Sequence, residues 1–273
     1  MTAAAAGVDG APTASAAESE FTPAPGAAPL PRMIAAQTAM ETRTLLRNGE
    51  QLTVTMLIPL GLLAMFSLEP VVNLGGGSRG DFLAPGIIAL AVMSTAFTSQ
   101  AIATGFERRY GVLKRLGATP LSRAGLISAK TATVVIIELL QAAIITGVAT
   151  GLGWRPHATA LAFLTAPLLV LVGTAAFSGL ALLMAGTLRA EATLALANLI
   201  YIVLLGLGGV VFPLTKFPAA ARPFLTLLPT GALATGLRAV LANAAGIPVR
   251  DLVVLAVWAV VTIGLAARTF RWE

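Results

Sequence analysis

The chain has 273 residues, of which 57% are hydrophobic and 11% charged, and its mean hydropathy is +0.87. Soluble domains carry roughly 25% charged residues, so this chain has too few to cover a water-facing globule, and an integral membrane protein is the economical reading. The net charge of +6 comes without a basic stripe interleaved with aromatics, which argues against nucleic acid as a partner. The lysine and arginine bias of inner loops accounts for it instead. Cysteine is absent, which excludes a disulfide framework and a thiolate metal site.

Residues 1–31 are rich in Ala, Pro, Ser and Gly, and their only charges are Asp9, Glu18 and Glu20. No Lys or Arg precedes Arg32 and no apolar core follows one, so a disordered cytoplasmic tail is expected, not a signal peptide. Residues 32–51 (RMIAAQTAMETRTLLRNGEQ) have helical periodicity, with Met33, Ala36, Met40, Thr44 and Leu45 on one face. This segment is too polar to span, and an interfacial helix on the inner surface is expected. A soluble helix on the tail is the alternative.

A crossing needs about 20 residues of helix. The segments that qualify are 52–68, 83–104, 126–152, 159–186, 193–212 and 252–270, which predicts six transmembrane helices. The first is interrupted by Pro59; the second opens on Pro85-Gly86 and becomes hydroxyl-rich at Ser94, Thr95, Thr98 and Ser99. With the amino terminus inside, twelve of the 18 lysines and arginines fall on inner segments, so both termini are expected to be cytoplasmic.

Between the second and third crossings lies a charged island, GFERRYGVLKRLGATPLSR, at 105–123. Read as one helix from Phe106 to Gly117, it places Phe106, Tyr110, Leu113 and Leu116 on one face. Glu107, Arg108, Lys114 and Arg115 lie on the other, with Arg109 at the edge. Gly117 and Pro120 end the helix. Residues 213–250 carry prolines at 213, 218, 223, 229 and 248. Helical composition at 219–228 and 230–244 predicts a re-entrant pair of short outer helices, with a seventh crossing at 223–241 as the alternative.

This order of elements resembles the membrane subunit of a type-2 ABC exporter, the class that includes daunorubicin-type drug exporters and polysaccharide and lipid exporters. The most specific likeness is Glu107-Arg108-Arg109 through Pro120-Leu121-Ser122-Arg123; the rest, over 32–273, is order and hydropathy. The resemblance implies a non-catalytic permease in the bacterial cell membrane that pairs with a second permease, the same or related. It also implies a separate nucleotide-binding ATPase that holds ATP and Mg, with no cofactor on this chain. The island would be a coupling helix docked in the ATPase's cleft, a role that falls to Phe106, Glu107, Arg108, Arg109, Leu113, Lys114 and Arg115. The cargo would be a hydrophobic or amphiphilic molecule, a drug, antibiotic or lipid. From periodicity alone, a positive anchor on lipid phosphates explains the island equally well.

Glu138 lies near the middle of the third crossing, with Gln141 one turn on. A lone carboxyl in hydrocarbon is expensive and should face protein or water. The pair lines a substrate route or holds helices together, in the second case near Gln100 or Asn198. On the fifth crossing, Asn198 and Tyr201 precede Gly206, Gly208 and Gly209. Small residues allow close helix approach, so this stretch is either a dimer seam or packing within one subunit. The single histidine, His157, is a poor metal-site candidate beside what reads as an anchoring Trp154. A membrane enzyme would need convergent carboxylates or a nucleophile with its base, and a secondary transporter would show paired intramembrane charges or repeats. Neither pattern is present in the sequence.

Overall fold

The computed structural model describes residues 26–68, 78–157 and 159–269. Most of the expected tail, Glu69 and Pro70 after the first crossing, and Phe270 and Arg271 at the end of the last lie outside the described residues. Among the described residues every regular element is helical. Five helical runs are long and apolar enough to cross a bilayer: Arg79–Arg109, Ala124–Gly151, Ala162–Thr187, Ala190–Leu207 and Val249–Thr269. Helices satisfy their own backbone groups in lipid, and the chain is an all-α polytopic membrane protein.

Helix α1 (Leu30–Arg47) has Pro31 in its first turn, where a missing N–H costs nothing. It stops at Asn48 (φ −90°, ψ 80°), and α2 (Gly49–Leu68) begins at once. Residues 49–51, expected in the interfacial helix, therefore belong to the next element. The continuous apolar part of α2, Thr55–Leu68, is shorter than the five spanning runs, and Pro59 sits inside it. One flank of α1 packs on protein: Thr38 Oγ1 lies 3.4 Å from the Ala129 carbonyl oxygen, and Thr133 Oγ1 lies 3.4 Å from that of Thr38.

The second crossing is the centre of the bundle. It comprises α3 (Arg79–Val92), a π-helical stretch from Met93 to Ser99, and α4 (Gln100–Arg109). Every residue from Leu83 to Met93 is buried. At 1.5 Å per residue the 31-residue run is about 46 Å long. That exceeds the ~30 Å hydrocarbon core, so the charged end of α4 stands clear of it.

The island is not one helix. Helix α4 ends at Tyr110, Gly111 is left-handed at φ +72°, and α5 (Val112–Gly117) starts in a new direction. Glycine adopts this conformation without a Cβ penalty. The break re-phases the faces inferred from the sequence: Phe106 and Tyr110 still stack at 6.0 Å, but Leu113 belongs to a different surface. Ser122 then caps α6 (Arg123–Gly151), its hydroxyl accepting the Gly125 N–H at 3.1 Å.

Helices α7 (Ala162–Thr187), α8 (Ala190–Leu207) and α11 (Val249–Thr269) complete the spanning set. Helices α7 and α11 approach closely at Gly179, where a Cβ would meet Thr262 and Ile263; Thr262 Oγ1 donates to the Ala176 carbonyl at 3.2 Å. Much of α8 and α11 is apolar and exposed, including Leu199, Ile202, Val253 and Val260, as lipid or another subunit requires.

The proline-rich stretch forms two short helices with bounds shifted from those expected. The helix expected at 219–228 shrinks to α9 (Arg222–Leu225), bounded by Pro218 and Pro229. Helix α10 (Pro229–Leu241) packs into the bundle, with nine of its 13 residues buried. Its length also rules out a seventh crossing. Arg238 fixes it, donating from Nε to the Phe82 carbonyl and from Nη2 to the Val210 carbonyl, both at 3.0 Å, with its guanidinium 3.7 Å from the Phe82 ring centroid.

Candidate functional site

At the basic end of the bundle, Glu107, Arg108 and Arg109 occupy the last turn of α4 and reach three different neighbours. Glu107 pairs with Lys130 Nζ of α6 at 2.7 Å, and the same nitrogen lies 3.3 Å from Glu41 of α1. Lys130 is 5% exposed, so this triad joins α1, α4 and α6 in a largely dry setting. Arg108 donates from Nη2 to the carbonyl of Leu188, the cap residue of α7. A cation there satisfies an orphan carbonyl and meets the negative end of the helix. Arg109 pairs with Glu191 in the first turn of α8. Successive helical residues point about 100° apart, so three adjacent charges can divide among separate helices.

Helix α5 is anchored by its apolar side. Leu113 is 0% exposed and packs with Leu121, Leu126, Leu182 and Ala266, with Met33, Ile34 and Leu116 against the cluster. It therefore roots α5 in its own subunit and offers no side chain to a partner's cleft. The outward surface consists of Tyr110, Val112, Lys114 and Arg115, with Tyr110 68% exposed. Tyr110 and Val112 are apolar contributors that a single-helix reading does not group.

Glu138 is 2% exposed, and Thr174 of α7 donates to its Oε2. Gln141 Oε1 accepts from Thr95 in the π-helical stretch at 2.9 Å. The two residues hold α6 to α7 and to the second crossing, inside one subunit. Neither Gln100 nor Asn198 is Glu138's partner: Gln100 is buried elsewhere and Asn198 is exposed on α8. Tyr201, 60° round the helix from Asn198, turns inward and hydrogen-bonds with Ser94. The glycines also divide. A Cβ on Gly206 would meet nothing within 4 Å, whereas one on Gly208 would lie 2.6 Å from Thr230 Cβ, and one on Gly209 2.9 Å from Leu214. Gly208 and Gly209 serve packing within the subunit; only Asn198 and Gly206 open outward.

Trp154 is not a lipid-facing anchor. It is buried, and its Nε1 donates to Asp81 at 3.0 Å. His157 Nδ1 lies 3.7 Å from the same carboxylate. Among the described residues no three carboxylates or histidines are grouped to hold a metal ion.

Sequence reasoning assigns no site role to Glu41 or Lys130 and offers Gln100 only as a neighbour of Glu138. Lys130 is one of the twelve inner lysines and arginines. It lies seven residues into α6, too far for a loop lysine, and that position was the available sign of a buried partner.

A family described as ABC-2 type transporter matches residues 34–242, more than half of the chain. A comparison with curated proteins returned no match. The matched region contains most of α1, the second crossing, the charged turn and all of α10. The chain belongs to the ABC-2 type transporter family, as a membrane permease subunit.

Proposed function

We propose that this permease is half of an ATP-driven exporter in the bacterial cell membrane, with both termini cytoplasmic. It pairs with a second permease, the same or related, and moves a hydrophobic or amphiphilic molecule outward. ATP and Mg are held by a separate ATPase that docks on the turn formed by the end of α4 and α5. The observation that carries this reading is the division of Glu107, Arg108 and Arg109 among α1 and α6, α7 and α8. A push on α5 enters through rooted Leu113 and reaches those helices through short polar links. A lipid anchor needs basic residues but has no use for such internal ties.

The exposed cations Lys114 and Arg115 are the residues to test, because both lie on the outward surface of α5 beside Tyr110 and Val112. Acidic groups on the ATPase would meet them electrostatically. The double charge reversal Lys114→Glu, Arg115→Glu is expected to abolish copurification with the ATPase and ATP-dependent efflux, while the permease still folds. Normal copurification and normal efflux in that variant would end the docking assignment.

A further inference from the structure

A cavity of about 300 Å³ lies within the subunit, between α1, α2, the second crossing and α6. Its walls divide by chemistry. Met40, Leu45, Leu52, Val134 and Ile137 make an apolar side, while Glu41, Glu107, Lys130, Gln100 and Thr104 make a polar end. Among the described residues those three ionisable side chains are the only charges on the wall, two carboxylates against one ammonium, which leaves one net negative charge. Arg43 and Arg47 do not change that sum: they line a separate depression that shares only Met40 and Thr44 with the cavity.

The second observation is independent of charge. Gln100 is 6% exposed and lines the cavity, yet neither its amide oxygen nor its amide nitrogen has a partner in the protein. Thr104, 0% exposed, likewise has an unpartnered hydroxyl. Buried polar groups are normally satisfied, and an unsatisfied amide costs its full desolvation penalty. A donor-and-acceptor amide beside excess negative charge, opening on an apolar wall, matches one ligand chemistry. Small-molecule sites run from about 300 to 1,000 Å³, so the volume is adequate.

We propose that this cavity binds a single-chain amphiphile bearing an ammonium group. The head sits among Gln100, Thr104, Glu107 and Glu41, and the chain runs along Val134 and Ile137. The ammonium neutralises the surplus carboxylate charge and donates to Gln100 Oε1. The site lies inside one subunit, away from the outward face of α8, and does not depend on whether its occupant is the exported molecule. Its failure would leave the ATPase-docking test untouched.

The test uses the full chain in phosphatidylcholine nanodiscs, with tritiated decylamine at neutral pH and decyl sulfate and decanol as competitors. Saturable binding is expected that decanol and decyl sulfate displace at least tenfold less well than unlabelled decylamine. Gln100→Leu removes an amide with no protein partner, so it is expected to melt no lower than the native chain while binding falls about fivefold or more. Ala103→Trp fills the cavity without altering charge and is expected to abolish saturable binding. A diazirine-bearing decylamine should label α4 or α6 near the cavity. Lysophosphatidylethanolamine, a single-chain lipid, in the disc identifies the source: it suppresses decylamine binding if a lipid headgroup is the natural occupant and leaves it unchanged if a free amphiphile is. Non-saturable uptake, equal competition by decyl sulfate, or native affinity in both Gln100→Leu and Ala103→Trp would overturn the proposal.

Discussion

Lys130 offers the sharpest test of how the basic end is held together. Its Nζ sits 2.7 Å from Glu107 and 3.3 Å from Glu41, with the side chain 5% exposed. Lys130→Met keeps the apolar stem and removes the charge, leaving two carboxylates facing each other without a cation. Losing one partner of a fully buried ion pair costs about 3–5 kcal/mol. Glu41 and Glu107 retain 16% and 29% of their side-chain exposure, so water relieves part of that, and about 2 kcal/mol is expected. The decisive comparison is the triple variant Glu41→Gln, Lys130→Met, Glu107→Gln. It removes every charge together and should recover all but about 1 kcal/mol of the loss, because replacing a complete buried ion cluster is often nearly neutral. Denaturant-induced unfolding in lipid-containing micelles, followed by tryptophan fluorescence, measures both. A single variant as stable as the native chain would mean the triad is solvated and contributes nothing. A triple variant no better than the single one would mean that packing, not unpaired charge, sets the cost.

Two further expectations concern the membrane-embedded residues. Thr174→Val deletes the hydroxyl that donates to Glu138, leaving a buried carboxyl short of its partner; a loss of about 2 kcal/mol is expected. Glu138→Gln should stay within about 1 kcal/mol of native stability, with efflux retained, so lost efflux in a folded Glu138→Gln would return the residue to the substrate route. Gly179→Leu should prevent folding, since its side chain collides with Thr262 and Ile263 where α7 meets α11, whereas Gly206→Leu enters open space within the subunit. If the Gly206 face is the seam between permeases, Gly206→Leu will fold yet shift the mass from dimer toward monomer in light scattering. An unaltered dimer would move the seam elsewhere.

The crossings were legible because their cause is local: runs of apolar residues of membrane length announce themselves whatever they pack against. Gly117 as a stop was legible for the same reason. The break at Gly111 was not, because Phe106, Tyr110 and Leu113 fit a continuous 3.6-residue period equally well. Only the burial of Leu113 against Leu126 and Leu182, far apart in sequence, selects the left-handed turn. Glu138 was recognisable as needing a partner, but nothing in VVIIELLQAA says that the partner is Thr174. The pairing of Lys130 with Glu41 and Glu107 joins three sequence segments by tertiary approach alone.

That non-local pairing is also what makes the turn a mechanical element. A coupling device must be stiff enough to transmit displacement and jointed enough to receive it. Helix α5 has six residues, too few to be stable in isolation, so its rigidity comes from Leu113 and Leu116 in the cluster shared with α6, α7 and α11. Gly111 supplies the joint, because it and Tyr110 are all that separate α5 from a helical run that reaches back through the buried centre of the subunit. Force on Lys114 or Arg115 therefore has two exits: through the cluster into α6, α7 and α11, and through Gly111 into the second crossing. The charged links of Glu107, Arg108 and Arg109 couple those exits, and Glu107 also lines the cavity. Movement of α4 relative to α6 would change the cavity's volume first, so the proposed site lies where occupancy and displacement must affect each other.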